Sequence, residues 1–199
     1  WESAGPDNVG GRTKAILIYD ENTMFAGGTT GGLYKSNDKA NTWQKITSFD
    51  QHFGISSICR LGNGHIYVAT GASHEQGSAS PSTYGGGLFV STDQGDTWDY
   101  AMDNDGNPIK PDSYTSGDYG IIDEIRADPS QDNKLWVASN VGLEAYVEGT
   151  GFLAYPSGLP ETTCESFDIS ADGMLIAASI GSSNLHLSFD GGLTFEDRA

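Results

Sequence analysis

The feature that most restricts this chain is a turn written three times. It reads Ser36-Asn37-Asp38-Lys39-Ala40-Asn41-Thr42-Trp43, then Ser91-Thr92-Asp93-Gln94-Gly95-Asp96-Thr97-Trp98, then Ser188-Phe189-Asp190-Gly191-Gly192-Leu193-Thr194-Phe195. An acid two residues after a serine, with a threonine four residues on, suits a tight hairpin whose carboxylate accepts the turn's own N–H groups. Glycine at the fifth position permits a left-handed backbone, and the aromatic at the eighth packs on a neighbouring strand or sheet. In the first copy Ala40 replaces the glycine, with Asn41 beside it to absorb unusual dihedrals; in the last, Phe195 replaces Trp. The aspartates recur 55 and then 97 residues apart, so one unit lacks its turn.

What surrounds the turn also recurs. Short apolar and β-branched runs alternate with Gly, Asn, Asp and Ser, and no stretch keeps a helical period. The first unit reads KAILIY, TMFAGG, GLYKS and TWQKI; the second ISSICRL, HIYVAT, GLFVS and TWDYA. The third reads IIDEIRA, KLWVAS, GLEAYV and GFLAY, without a Ser-x-Asp turn, and the fourth ESFDIS, MLIAAS, NLHLS and TFED. The units span approximately 13–47, 55–101, 121–156 and 164–198. A repeated four-stranded antiparallel unit of about 45 to 50 residues predicts an all-β chain of β-propeller blades, because one such sheet cannot bury both faces and stacked sheets can. Four blades are visible, and the reading expects further blades, or else a smaller ring completed by residues 1–12.

Charge narrows the partners. With 10 Lys and Arg against 27 Asp and Glu the net charge is −17, and the scattered basic residues form no patch for phosphate. Nucleic acid and anionic membrane surfaces are thereby disfavoured, and no apolar run approaches the roughly 20 residues of a membrane span. Cys59 and Cys164 sit in similar strand contexts and read as buried small apolar residues, with a disulfide as the alternative.

The turn Ser36–Trp43 and its two copies resemble the Asp-box, or BNR repeat, of sialidase-like, xyloglucanase-like and sortilin-like propellers. Gly10-Gly11-Arg12, Ala26-Gly27-Gly28 and Gly31-Gly32-Leu33-Tyr34 resemble the opening blade of the sortilin-like and xyloglucanase-like groups. The resemblance implies a structural role for Ser36, Asp38, Thr42, Trp43, Ser91, Asp93, Gly95, Thr97, Trp98, Ser188, Asp190, Gly192, Thr194 and Phe195. It also implies a secreted, periplasmic or cell-surface module that binds a polysaccharide or a partner protein. The alternative is a glycoside hydrolase using channel-facing carboxylates.

Strand parity places the three turns on one rim and the long connections 71–86 and 102–120 on the other, where a binding face is built. Tyr84, Tyr114, Tyr119 and His74 are the candidate ligand contacts there. Asp103, Asp105 and Asn107, completed by Asp112 or Asp118, are candidate calcium ligands, since alternating oxygen donors followed by glycine suit a hard cation. No other cofactor is indicated. For hydrolysis the candidate acids are Asp118, Asp123 and Asp50, and alternation predicts that Asp123 and Glu124 point in opposite directions. Arg60 and Arg126 end first strands and could face the channel; the four histidines occur singly.

Overall fold

A computed structural model describes residues 12–49, 53–71, 84–111, 118–181 and 184–198. Blade 1 comprises β1 (Thr13–Ile18), β2 (Met24–Gly28), β3 (Gly32–Ser36) and β4 (Gln44–Lys45). Blade 2 comprises β5 (Ile55–Arg60), β6 (Ile66–Thr70), β7 (Leu88–Ser91) and β8 (Asp99–Tyr100). Blade 3 comprises β9 (Ile122–Ala127), β10 (Lys134–Ser139), β11 (Gly142–Val147) and β12 (Gly151–Phe152). Blade 4 comprises β13 (Cys164–Ile169), β14 (Ile176–Ile180), β15 (Asn184–Ser188) and β16 (Glu196–Asp197). Each blade is one antiparallel sheet with its strands side by side in chain order. The chain is an all-β array of propeller blades.

Burial explains the stacking. Every residue of β6 and β10 is buried, so neither face of those strands meets water. One apolar cluster joins blades 1 and 2 through Phe25, Leu33, Ile58, Phe89 and Trp98. A second joins blades 2 and 3 through Tyr67, Leu88, Ile125, Val137 and Tyr146, and a third joins blades 3 and 4 through Trp136, Leu143, Phe167 and Ile176. In each joint an aromatic of the second strand meets the following blade. Phe25 meets Trp98 edge-on at 6.5 Å, and Tyr67 meets Tyr146 at 5.8 Å. Trp136 lies so close to Gly192 that a Cβ there would approach it to 2.2 Å. Blade 4 has Ala177 at this station, and Leu175 and Leu185 stand exposed on it.

The three repeated turns share one set of hydrogen bonds. Ser36 Oγ donates to Asp38 Oδ1 at 2.8 Å, Thr42 N donates to the same oxygen at 2.8 Å, and Thr42 Oγ1 donates to Oδ2 at 2.6 Å. Ser91, Asp93 and Thr97 repeat the pattern at 2.8, 2.9 and 2.6 Å, and Ser188, Asp190 and Thr194 at 2.8, 3.0 and 2.6 Å. Bonds from the threonine hydroxyl and amide hold Asp93 and Asp190 down to about 2. The first turn departs from expectation in one detail. Its left-handed residues are Lys39 and Ala40, with φ of 61° and 64°, while the Asn41 amide donates to the Asp38 carbonyl. The cysteines are both free and buried, and burial pushes each thiol up to about 12.

Blade 3 replaces the carboxylate-closed turn with Glu148-Gly149-Thr150, closed by Thr150 N donating to Val147 O at 3.0 Å. Its acid reaches across to blade 2 instead. Glu148 Oε1 meets His65 Nδ1 at 2.6 Å and accepts Tyr67 Oη at 3.2 Å, while Oε2 accepts Asn63 Nδ2 at 2.5 Å.

Candidate functional site

The first strand of each blade is the inner edge of its sheet, and all four carry the same irregularity. In β1, Thr13 pairs with Gly28 and Ala15 with Gly27, so Lys14 is skipped in the ladder. In β5 the skipped residue is Ser56, in β9 Asp123 and in β13 Glu165. A bulge leaves one extra residue outside the pairing and re-aims its side chain. Here it turns the second residue of every inner strand toward one cleft. That cleft has a volume of about 380 Å3 and is lined by all four bulge residues together with Ser57 and Glu124.

The bulge corrects the expected alternation, since Asp123 and Glu124 both border the cleft. It also supplies a second acid that sequence reasoning missed, Glu165, and a cationic side chain, Lys14. Aligning the inner strands as Thr13-Lys14-Ala15-Ile16, Ile55-Ser56-Ser57-Ile58, Ile122-Asp123-Glu124-Ile125 and Cys164-Glu165-Ser166-Phe167 reveals the signal. The first and fourth positions are mainly apolar and the second is polar in every blade.

Glu124 is occupied. Its Oε2 accepts Ser166 Oγ at 2.9 Å and Phe167 N at 3.2 Å, and its Oε1 accepts Arg126 Nε at 2.7 Å. Arg126 also reaches Asp168 through Nη1 at 2.7 Å. Arg60 stacks 4.4 Å over Tyr19 and donates to its carbonyl, and Arg198 pairs with Glu196. Arg60, Arg126 and Arg198 are therefore engaged separately in contacts of their own.

On the rim above, the flanks of the two long connections meet, with Gly85 N donating to Gly120 O at 2.7 Å. Tyr84 is half-buried beside that contact and Asp118 is exposed. Tyr119 has one face stacked on Phe152 at 5.0 Å and its hydroxyl donated to Glu144 Oε2 at 3.0 Å. Burial raises the Tyr119 phenol, and burial also raises the Glu144 carboxyl against the opposing effect of that hydrogen bond. Asp50, His74, Asp112 and Tyr114 lie outside the described residues.

In the segment read as calcium-binding, Asp103 is bonded to its own turn. Asp103 Oδ1 accepts the N–H of Asp105 at 2.9 Å and of Asn107 at 2.8 Å, and Oδ2 faces the Asn107 amide nitrogen at 3.3 Å. Asp103 caps a small hairpin closed by the Met102–Pro108 bridge, and Asn107 serves it as a donor. Among the described residues no three His, Cys, Asp or Glu side chains are grouped to hold a metal ion. No helix among them is long and apolar enough to cross a membrane.

No family model matches the chain. A probable oligoxyloglucan-reducing end-specific xyloglucanase of Neosartorya fischeri is 29% identical over 89 residues, which is 45% of this chain and 10% of that protein. Among solved structures, an ancestral GH74 enzyme superposes with a TM-score of 0.70 at 17% identity, covering 94% of this chain and 25% of its own. YCF48 bound to D1 peptide superposes with a TM-score of 0.58 at 14% identity, covering 97% of this chain and 54% of its own. The likeness to the solved structures establishes the fold. The chain spans a tenth of the curated relative and between a quarter and about half of these two structures.

Proposed function

We propose that this chain is an Asp-box propeller segment of a secreted or cell-surface protein, and that it binds a neutral polysaccharide across the mouth of its channel. The observation that carries the reading is the cleft of about 380 Å3 toward which four inner-strand bulges aim Lys14, Ser56, Asp123 and Glu165. Carboxylates and hydroxyls accept and share hydrogen bonds with sugar hydroxyls, and a site with this excess of acid repels an anionic polymer. The Ser-Asp-Thr bonding repeated in three turns supports the Asp-box assignment, and the xyloglucanase relative supports a glucan as the polymer. The exposed Leu175 and Leu185 of blade 4 support contact with further blades.

One observation favours a second reading, hydrolysis. Asp123 and Glu165 border one cleft from adjacent blades, and glycoside hydrolysis uses two carboxyl groups across a sugar. Electrophoresis through gels containing xyloglucan or polygalacturonate tests the primary proposal. Retardation by the neutral polymer alone, weakened about tenfold in Asp123→Asn or Glu165→Gln as loss of a charged hydrogen bond predicts, supports it. Equal mobility with and without xyloglucan overturns it. Reducing ends released by the wild type and abolished in both variants would establish the second reading.

A further inference from the structure

An inner strand is a sheet edge, and an edge leaves backbone N–H and C=O groups without ladder partners. At two joints of this array side chains of the preceding blade meet those groups. From β5, Ser56 Oγ donates to the Ile122 carbonyl. Ser57 Oγ accepts Ile125 N at 3.1 Å and donates to Ile125 O at 3.2 Å. These contacts bracket Asp123, one on the residue before it and one two residues after. From β9, Glu124 Oε2 takes Ser166 Oγ and Phe167 N, the donors of the two residues that follow Glu165. Arg126 extends the same grip to Asp168.

Ile125 and Phe167 occupy the same station of their strands, fourth from the start, and are gripped by third-station residues of the blade before. The contact is thus a repeated device, carried out by a hydroxyl at one joint and a carboxylate at the next. Ala15, the third-station residue of β1, has no polar side-chain atom with which to do the same for β5. A bulge is free to relax unless something fixes the backbone beside it.

We infer that Ser57 and Glu124 are positioning residues, each fixing the bulge of the next blade so that Asp123 and Glu165 face the cleft. The inference deepens the proposed polysaccharide site and rests on it for its binding readout alone. Glu124→Gln keeps an oxygen for Ser166 and Phe167 while removing the charge; Glu124→Ala removes both. The difference between these two variants isolates positioning from electrostatics.

The deciding measurement is the pH titration of the Asp123 and Glu165 side-chain carboxyl signals by NMR, on the ligand-free chain, with thermal unfolding as the check on folding. Glu124→Ala is expected to move the Glu165 midpoint away from its value in Glu124→Gln. Ser57→Ala is expected to move the Asp123 midpoint and leave that of Glu165 in place. Affinity for xyloglucan fragments should fall about tenfold between Glu124→Gln and Glu124→Ala, the scale of a lost charged hydrogen bond. If Glu124→Ala does not fold, Ser166→Ala removes one gripped donor and must shift Glu165 in the same direction. Identical Glu165 midpoints in the two Glu124 variants, or an unmoved Asp123 in Ser57→Ala, overturn the inference at that joint. Wild-type protein that binds no xyloglucan defeats the proposed function, and the titrations still decide the positioning.

Discussion

Asp38, Asp93 and Asp190 are bonded within their own turns, and a neighbouring side chain of the second turn, Asp96, reaches back to Lys35 of blade 1, whereas the turn of blade 3 commits the Glu148 carboxylate to another blade. In the first kind, carboxylate, serine and threonine lie within one hairpin, and the preceding blade packs against the turn by shape: Gly95 and Gly192 lie against Phe25 and Trp136 with no room for a Cβ. In the second, Gly149 has open space around its Cβ position, while Glu148 meets His65, Asn63 and Tyr67 of blade 2. The difference teaches that this array can hold a joint either by fitting an aromatic under a rigid turn or by spanning it with a polar clamp.

Gly95→Ala gives the largest expected effect. A Cβ there would lie 2.5 Å from Phe25 on a backbone with φ of 85°, and urea unfolding should show a loss of about 3 kcal/mol. Gly149→Ala, at φ of 78° with nothing near, should lose only about 1 kcal/mol. Equal losses would erase the contrast between the turns. Glu148→Ala should follow at about 2 kcal/mol, because it strands the half-buried His65 and the hydroxyl of the buried Tyr67 and releases the exposed Asn63, with Glu148→Gln retaining part of the clamp.

A smaller difference separates wild type from Asp93→Asn, and its pH dependence is its mark. The Asp93 carboxyl is held at about 2 in the folded chain against 3.8 unperturbed, so the folded state binds fewer protons than the unfolded state between those values. The stabilisation is complete above the unfolded value and is lost as the pH falls toward 2; a constant difference across that window would rule out the local closure described here. Ala40→Gly should give the smallest change, a gain of about 0.5 to 1 kcal/mol in the same unfolding assay, since alanine sits at φ of 64°. A loss would mean that the Ala40 methyl contributes more packing than its conformation costs.

Blades and their closing turns were legible because they repeat: short apolar runs and the Ser-x-Asp pattern declare themselves at fixed spacing. The cleft was not, because a bulge breaks the two-residue alternation by which strand faces are read. Asp123 was found as an acid at the start of an inner strand. Glu165 holds the same second station as Asp123, an equivalence that emerges only when the inner strands are aligned from their first paired residues, Ile122 and Cys164. Asp103 illustrates a different limit of sequence reading. Its spacing with Asp105 and Asn107 suits a cation as well as a capped turn, and the N–H bonds that cap the turn depend on backbone directions that composition does not encode.

The grips of β5 on β9 and of β9 on β13 run one way along the polypeptide. From blade 2 onward the array overlaps like roof tiles, blades 3 and 4 each held down by the one laid before. Trimming the last course leaves the hold on β9 intact, whereas lifting blade 2 or blade 3 bares the course beyond. Duplication or loss of repeats during evolution should accordingly be easier to accommodate on the downstream side.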